Sequence, residues 1–97
     1  MNESTMTEHG LLDAEAINAI RGGDAERYCE LIERYERRVF AIAWSRLGDA
    51  TLAQEAAQET FIRAYRQLAS LNDGRKFSSW ISSIARNITT NLGLRHR

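Results

Sequence analysis

Apolar positions recur along this chain at three- and four-residue intervals and almost never alternate, so the pattern predicts helices throughout and offers no strand of any weight. A short first helix is expected from about Asp13, a plausible N-cap, through Ile17 and Ile20 to a stop at Gly22-Gly23. Residues 1 to 12 ahead of it read as a disordered tail. Asp24 is expected to cap a long second helix carrying Tyr28, Leu31, Ile32, Tyr35, Val39, Ile42 and Leu47 on one stripe and ending at Gly48. Asp49 can cap a third, from Ala50 to about Leu71, with Ala57, Phe61, Ala64, Tyr65 and Leu68 turned inward. Asn72-Asp73-Gly74 signals a turn of residues that tolerate positive φ, and beyond it Phe77, Ile81, Ile84, Ala85, Ile88 and Leu92 mark a fourth helix. Proline is absent and the glycines fall mostly between the stripes. The fold class expected is all-α: a compact bundle of about four helices built on a long antiparallel hairpin of the second and third.

Composition changes this picture little. With 97 residues, 43% of them hydrophobic and 27% charged, the chain should bury one core without room for a second domain. No apolar run approaches the roughly 20 residues that span a bilayer, and Met1 to Gly10 is polar and acidic where a signal peptide would be basic and then apolar. A cytoplasmic protein is expected, with no membrane partner. The lone Cys29 cannot form an internal disulfide and reads as a buried or half-buried thiol; with only His9 and His96 as imidazoles, no metal-ligand spacing exists and no cofactor is implied.

Charge does change the picture. The net charge is zero, yet residues 1–62 hold 6 Lys/Arg against 12 Asp/Glu, while residues 63–97 hold 7 against 1. The balances are −6 and +6, and a basic final third can attract phosphates.

Two helix faces are left unexplained by the core. On the third helix, Glu55, Gln58, Glu59 and Ile62 gather away from the apolar stripe. An isoleucine amid carboxylates and an amide suits a protein-docking surface; a solvated face with one stray apolar residue has the same pattern. On the fourth helix, Trp80, Ser83, Asn87 and Asn91 share one flank, with Arg86 beyond it and Arg75 and Lys76 in the preceding turn. An aromatic, hydroxyls and amides can stack on and hydrogen-bond unpaired bases while the cations hold phosphates. A core Trp80 with amides merely facing water fits the same spacing.

The stretch Gln54-Glu55-Ala56-Ala57-Gln58-Glu59-Thr60-Phe61-Ile62-Arg63-Ala64-Tyr65, followed by Phe77-Ser78-Ser79-Trp80-Ile81 and Ile84-Ala85-Arg86-Asn87, resembles region two of extracytoplasmic-function sigma factors. The resemblance runs from about Asp13 to the end, and it is the combination at these separations that makes it specific. It implies a non-enzymatic transcription initiation domain that docks on the clamp helices of the largest subunit of core RNA polymerase, with Glu55, Gln58, Glu59 and Ile62 on the docking surface. It further implies that the loop Asn72, Asp73, Gly74, Arg75 and Lys76, with Trp80, Ser83, Arg86 and Asn87, captures a flipped base of the non-template strand of the promoter minus-ten element. The family often uses anti-sigma inhibitors, which would most simply cover the docking face, and no residue here demands one.

This chain departs from the family pattern in several places. Ser82 and Ser83 stand where a basic or aromatic pair is common, Gly93 interrupts the last turn, and Glu55 replaces the usual aspartate, keeping the charge on a longer arm. The helix-turn-helix region that normally follows a linker is absent from this chain, which is therefore expected to be a piece of a longer protein, with the linker starting near Gly93, Arg95 and Arg97.

Three other readings fit the sequence less well. A helix-turn-helix module lacks support because Leu52 to Tyr65 reads as unbroken helix. A helical protein-interaction adaptor would suit the acidic first two-thirds and not the basic final third. An enzyme lacks a nucleophile, metal cluster or phosphate loop, and Glu55 and Glu59 are expected on an open face without a basic partner.

Overall fold

The glycine signals at 22–23 and 48 each close a helix, and the stripes meet. The computed structural model describes residues 3–95, with side chains described from His9 to Leu94. It contains α1 (Glu3–Arg21), α2 (Tyr28–Leu47), α3 (Ala50–Arg66) and α4 (Phe77–Arg95), joined by 3₁₀ turns at Ala25–Arg27, Leu68–Ser70 and Gly74–Lys76, and no strand is present among the described residues. Helices α2 and α3 form the expected hairpin. Gly48 ends α2 at φ 64°, a left-handed conformation that a side chain resists, and donates to Trp44 O at 2.9 Å. Asp49 then accepts the Leu52 N–H at 2.9 Å, so the N-cap of α3 is the one expected. Helix α4 lies in the groove between α2 and α3 and packs on both.

The core has two parts. The larger is built from Ile17 of α1, Leu31, Tyr35 and Val39 of α2, Phe61 and Ala64 of α3, and Phe77, Ile81 and Ala85 of α4. The smaller, toward the far end of the hairpin, uses Ala43, Ala53 and Ala56 against Ile88 and Leu92. Three alanines there let the helix backbones approach closely, so two aliphatic side chains fill the gap. Thr60 is also buried, its hydroxyl donating to Ala56 O at 2.7 Å.

Several expectations are corrected. Residues 3 to 12, expected to belong to a disordered tail, are helical; residues 1 and 2 lie outside the described residues. Asp13 is not an N-cap but a buried mid-helix residue, and Gly22-Gly23 does close the helix, with Gly23 at φ 115°. Asp24 makes no side-chain cap and leads into a 3₁₀ turn, so α2 begins at Tyr28. Helix α3 stops at Arg66 rather than near Leu71, and Tyr65 is 43% exposed instead of core. Cys29 is exposed. Gly93 does not interrupt α4, which continues to Arg95; Arg97 lies outside the described residues. No helix among the described residues is long and apolar enough to cross a membrane.

Candidate functional surfaces

The first surface is the outer seam of α2 and α3. Ile62 is 52% exposed, with Glu55 and Gln58 also exposed beside it. Glu59 is half-buried and takes a hydrogen bond from Arg63 at 3.2 Å, so the carboxylate expected without a basic partner has one. Along the seam run two shallow depressions that share Ile32 and Phe61. One is lined further by Tyr28, Cys29, Ile62, Tyr65 and Arg66, the other by Glu36, Arg37, Phe40, Gln54 and Gln58. Tyr28 fixes the seam from inside. Its hydroxyl, buried and pushed well above the usual tyrosine range by desolvation, donates to Phe61 O at 2.6 Å, and its ring packs against Tyr65 at 4.9 Å. Farther along α2, Phe40 stacks with Trp44, which is 47% exposed. Ile62 is therefore not a stray: Ile32, Phe40 and Tyr65 extend its apolar surface across two helices. Sequence reasoning missed these three. Tyr65 is expected in the core and Ile32 on a core stripe; Ile32 does pack on the core, and the pairing of α2 with α3 leaves both residues bordering the seam.

The second surface surrounds the loop before α4. Asp73 has φ −126° and its carboxylate accepts the Arg75 N–H at 3.0 Å, capping the 3₁₀ turn; positive φ is confined to Gly23 and Gly48 among the described residues, so the expected turn forms without the positive φ its residues tolerate. The same carboxylate accepts Arg75 Nε and Nη2, each at 3.1 Å. These bonds from Arg75 hold the Asp73 carboxyl below its ordinary range and raise Arg75 further. One of the three cations expected to meet phosphates is thus already matched within the loop. Lys76 and Arg86 are exposed, and no carboxylate pairs with either among the described residues.

The flank of α4 forms as its periodicity predicts. Ser83 and Asn87 are exposed, and Trp80 is half-buried, one side packed on Phe77 at 5.8 Å between ring centres. Trp80 is accordingly both core and surface, an aromatic edge held by the core. Asn91, on the same flank, sits by Glu59 and Arg63 of α3.

Beside the loop, on a different side of the α4 N-terminus from Trp80, lies a cavity of about 250 Å³ lined by His9, Gly10, Asp13, Tyr35, Arg38, Arg75, Lys76, Ser78 and Ser79. Arg38 crosses from α2 to donate to Ser78 Oγ and also lies 5.9 Å over the Tyr35 ring. Arg46 reaches α4 as well, at Thr89 Oγ1 (2.8 Å) and Thr90 Oγ1 (2.9 Å). Both arginines belong to the acidic part of the sequence, and folding carries them to the basic part. At the back of the cavity Asp13 is fully buried, accepting from Tyr35 Oη and from Arg34 Nη1 at 2.5 Å, while Arg34 also holds Glu30 at 3.0 Å. Burial pushes the Asp13 carboxyl above its usual range against the pull of those two donors, and desolvation together with the neighbouring carboxylate raises Tyr35.

Comparison with known proteins meets the same residues. The family model described as Sigma-70 region 2 matches residues 31–97, which include most of both surfaces. The chain is 34% identical over 73 residues to the ECF RNA polymerase sigma factor SigW of Bacillus subtilis, covering 75% of this chain and 39% of that protein. It is 31% identical over 75 residues to the ECF RNA polymerase sigma factor BldN of Streptomyces coelicolor (76% and 28%), and 30% identical over 79 residues to the RNA polymerase sigma-H factor of Pseudomonas aeruginosa (81% and 41%). It spans well under half the length of these relatives. The motif-bearing helices α3 and α4 lie within the matched segment, and the chain belongs to the sigma-70 region 2 family, in the form found in ECF sigma factors.

Proposed function

We propose that this domain acts in transcription initiation by docking on the clamp helices of core RNA polymerase through the α2–α3 seam and by holding the opened minus-ten element of the promoter with the loop 72–76 and α4. Glu55, Gln58, Glu59 and Ile62 make the polymerase contact, with Ile32, Phe40 and Tyr65 supplying apolar area around them. Asn72, Asp73, Gly74, Arg75, Lys76, Trp80, Ser83, Arg86 and Asn87 serve the DNA. The observation that carries this assignment is the exposed Ile62, set in an apolar depression with Ile32, Phe61 and Tyr65 and with Glu55 and Gln58 exposed on the same helix, within the segment matched by the family model.

The physics asks for binding and no covalent step. Extruding a base costs a few kcal/mol of stacking and pairing, and a surface that binds only the extruded form shifts the equilibrium by its differential affinity. The half-buried Trp80 offers a π-face for that base and the exposed amide of Asn87 a donor and acceptor for its edge. Lys76 and Arg86 supply phosphate attraction. An anti-sigma protein, where one operates, would compete for the same α2–α3 seam.

The test is binding of this chain to an isolated clamp-helix fragment, for wild type and for Ile62→Asp with Gln58→Ala. Wild type should bind, and the double change should lose binding by tenfold or more (roughly the effect of placing a charge in an apolar contact) with helicity unchanged by circular dichroism. Failure of the wild-type domain to bind would transfer the seam to another protein partner and favour a helical adaptor.

A further inference from the structure

Helix α1 touches the connection between α3 and α4 at both of its ends. In its last turn, Arg21 donates from Nη2 to Leu68 O at 2.9 Å and to Leu71 O at 2.6 Å, so one nitrogen ties two carbonyls of the 3₁₀ turn that follows α3. Two turns earlier the backbone of α1 lies against the loop itself. A Cβ placed on Gly74 would stand 2.9 Å from Ala14 Cα and 3.4 Å from Ile17 Cδ1; one on Gly10 would stand 3.2 Å from Arg75 O. Gly10, Ala14, Ile17 and Arg21 are spaced i, i+4, i+7 and i+11, a single helical face, and that face follows the chain from Leu68 to Arg75. Glycine at 74 is required by this close approach and not by a left-handed turn. The helix is held in place from behind, where buried Asp13 accepts from Arg34 and Tyr35 of α2 and Ile17 enters the core.

We propose that Arg21 is a positioning residue for promoter-strand recognition: with the glycine-mediated contacts it fixes loop 68–76 in its DNA-binding shape, without meeting the DNA itself. This rests on the DNA-binding role proposed above. Because the Arg21 guanidinium is committed to two carbonyls, its effect should pass through loop shape and not through charge. A phosphate-binding cation and a positioning cation then differ in salt dependence, since losing one phosphate contact lowers the slope of log affinity against log salt by about one and losing a splint does not.

The experiment is fluorescence anisotropy of the whole 97-residue chain with short labelled oligo-dA, oligo-dC and oligo-dT, at several salt concentrations, for wild type, Arg21→Ala, Arg21→Lys and Lys76→Ala. Arg21→Ala should weaken the preferred oligonucleotide by about tenfold, as expected for losing charged hydrogen bonds that order a loop. It should also flatten the preference among the three, leave the salt slope unchanged and leave clamp-fragment binding at the wild-type level. Arg21→Lys, which keeps a charged donor, should recover part of both affinity and preference, and it carries the comparison if circular dichroism shows that Arg21→Ala loses helicity. Lys76→Ala should lower the slope and preserve the preference. Unaltered affinity and preference in Arg21→Ala would overturn the positioning role, as would a lowered slope with the preference intact, which would make Arg21 a phosphate contact. If wild type itself binds none of the three, the DNA-binding role falls and the positioning role with it; wild type that discriminates beside an Arg21→Ala that discriminates equally sinks only the latter.

Discussion

The two surfaces are made by different means. The α2–α3 seam comes from two helices adjacent in sequence and joined by the short Gly48-Asp49 turn; its geometry follows from one hairpin, and its character is apolar. The loop and α4 surface draws on four segments, α1, α2, the 72–76 loop and α4, and its character is ionic and hydrogen-bonded. A surface built from one hairpin tolerates distant damage. One assembled from four segments inherits the stability of each contact that holds them together.

Breaking that contrast altogether should take a core residue shared by both. Phe77 is fully buried, packs against Tyr35 and Trp80, and opens α4. Phe77→Ala should cost about 3–5 kcal/mol, readable as a loss in the denaturant midpoint, and should impair polymerase and DNA binding together. Next in size, Ile32→Asp and Tyr65→Asp should each weaken clamp-fragment binding several-fold with DNA binding unchanged, which separates the surfaces; equal loss of both would show that they are coupled. Tyr28→Phe removes the buried bond to Phe61 O and should destabilise the domain by about 1 kcal/mol in thermal or denaturant unfolding, the carbonyl keeping its place in the α3 hydrogen-bond ladder.

Smaller effects sharpen the ionic side. Lys76→Ala should weaken single-stranded DNA binding more than Arg75→Ala, because Asp73 already offsets Arg75; anisotropy titrations that rank them the other way would mean the Asp73 pair opens on DNA binding. The smallest expected effect is in titration. Asp13 is raised by burial, so the folded protein binds its proton more readily than the unfolded chain: the destabilising contribution of its charge is present above the folded pKa and is relieved as pH falls toward the ordinary 3.8. Glu30 and Asp73 are lowered by their arginine partners, so their contributions are present above the ordinary carboxylate pKa and lost as pH falls through the folded values. Carboxyl carbon shifts followed by NMR should place the Asp13 midpoint above that of Asp73, with Glu30 below the ordinary glutamate value.

Much of this molecule was legible before any fold was drawn. The stops at Gly22-Gly23 and Gly48, the Asp49 cap and the α4 stripe follow from local chemistry, since backbone conformation and capping depend on a few neighbouring residues. Exposed Ile62, Ser83 and Asn87 were legible for the same reason: one helix's period fixes which positions turn from the core. The misjudged positions share a different cause. Asp13, with the features of an N-cap, is buried because Arg34 and Tyr35 of another helix satisfy it, and Tyr65 and Cys29, placed inside by their chemistry, lie on the hairpin's outer face.

By itself, then, the sequence determined the helices, their stops at Gly22-Gly23 and Gly48, the hairpin and the family motifs, because those rest on spacing and on residues within a few positions of one another. Tertiary structure alone decided that α1 splints the 68–76 loop through Arg21, Ala14 and Gly10, that Arg38 and Arg46 leave an acidic segment to join α4, and that Arg75 arrives already paired. Those outcomes depend on which helix faces meet and at what separation, and such contacts are set by the packing of side chains far apart in the chain.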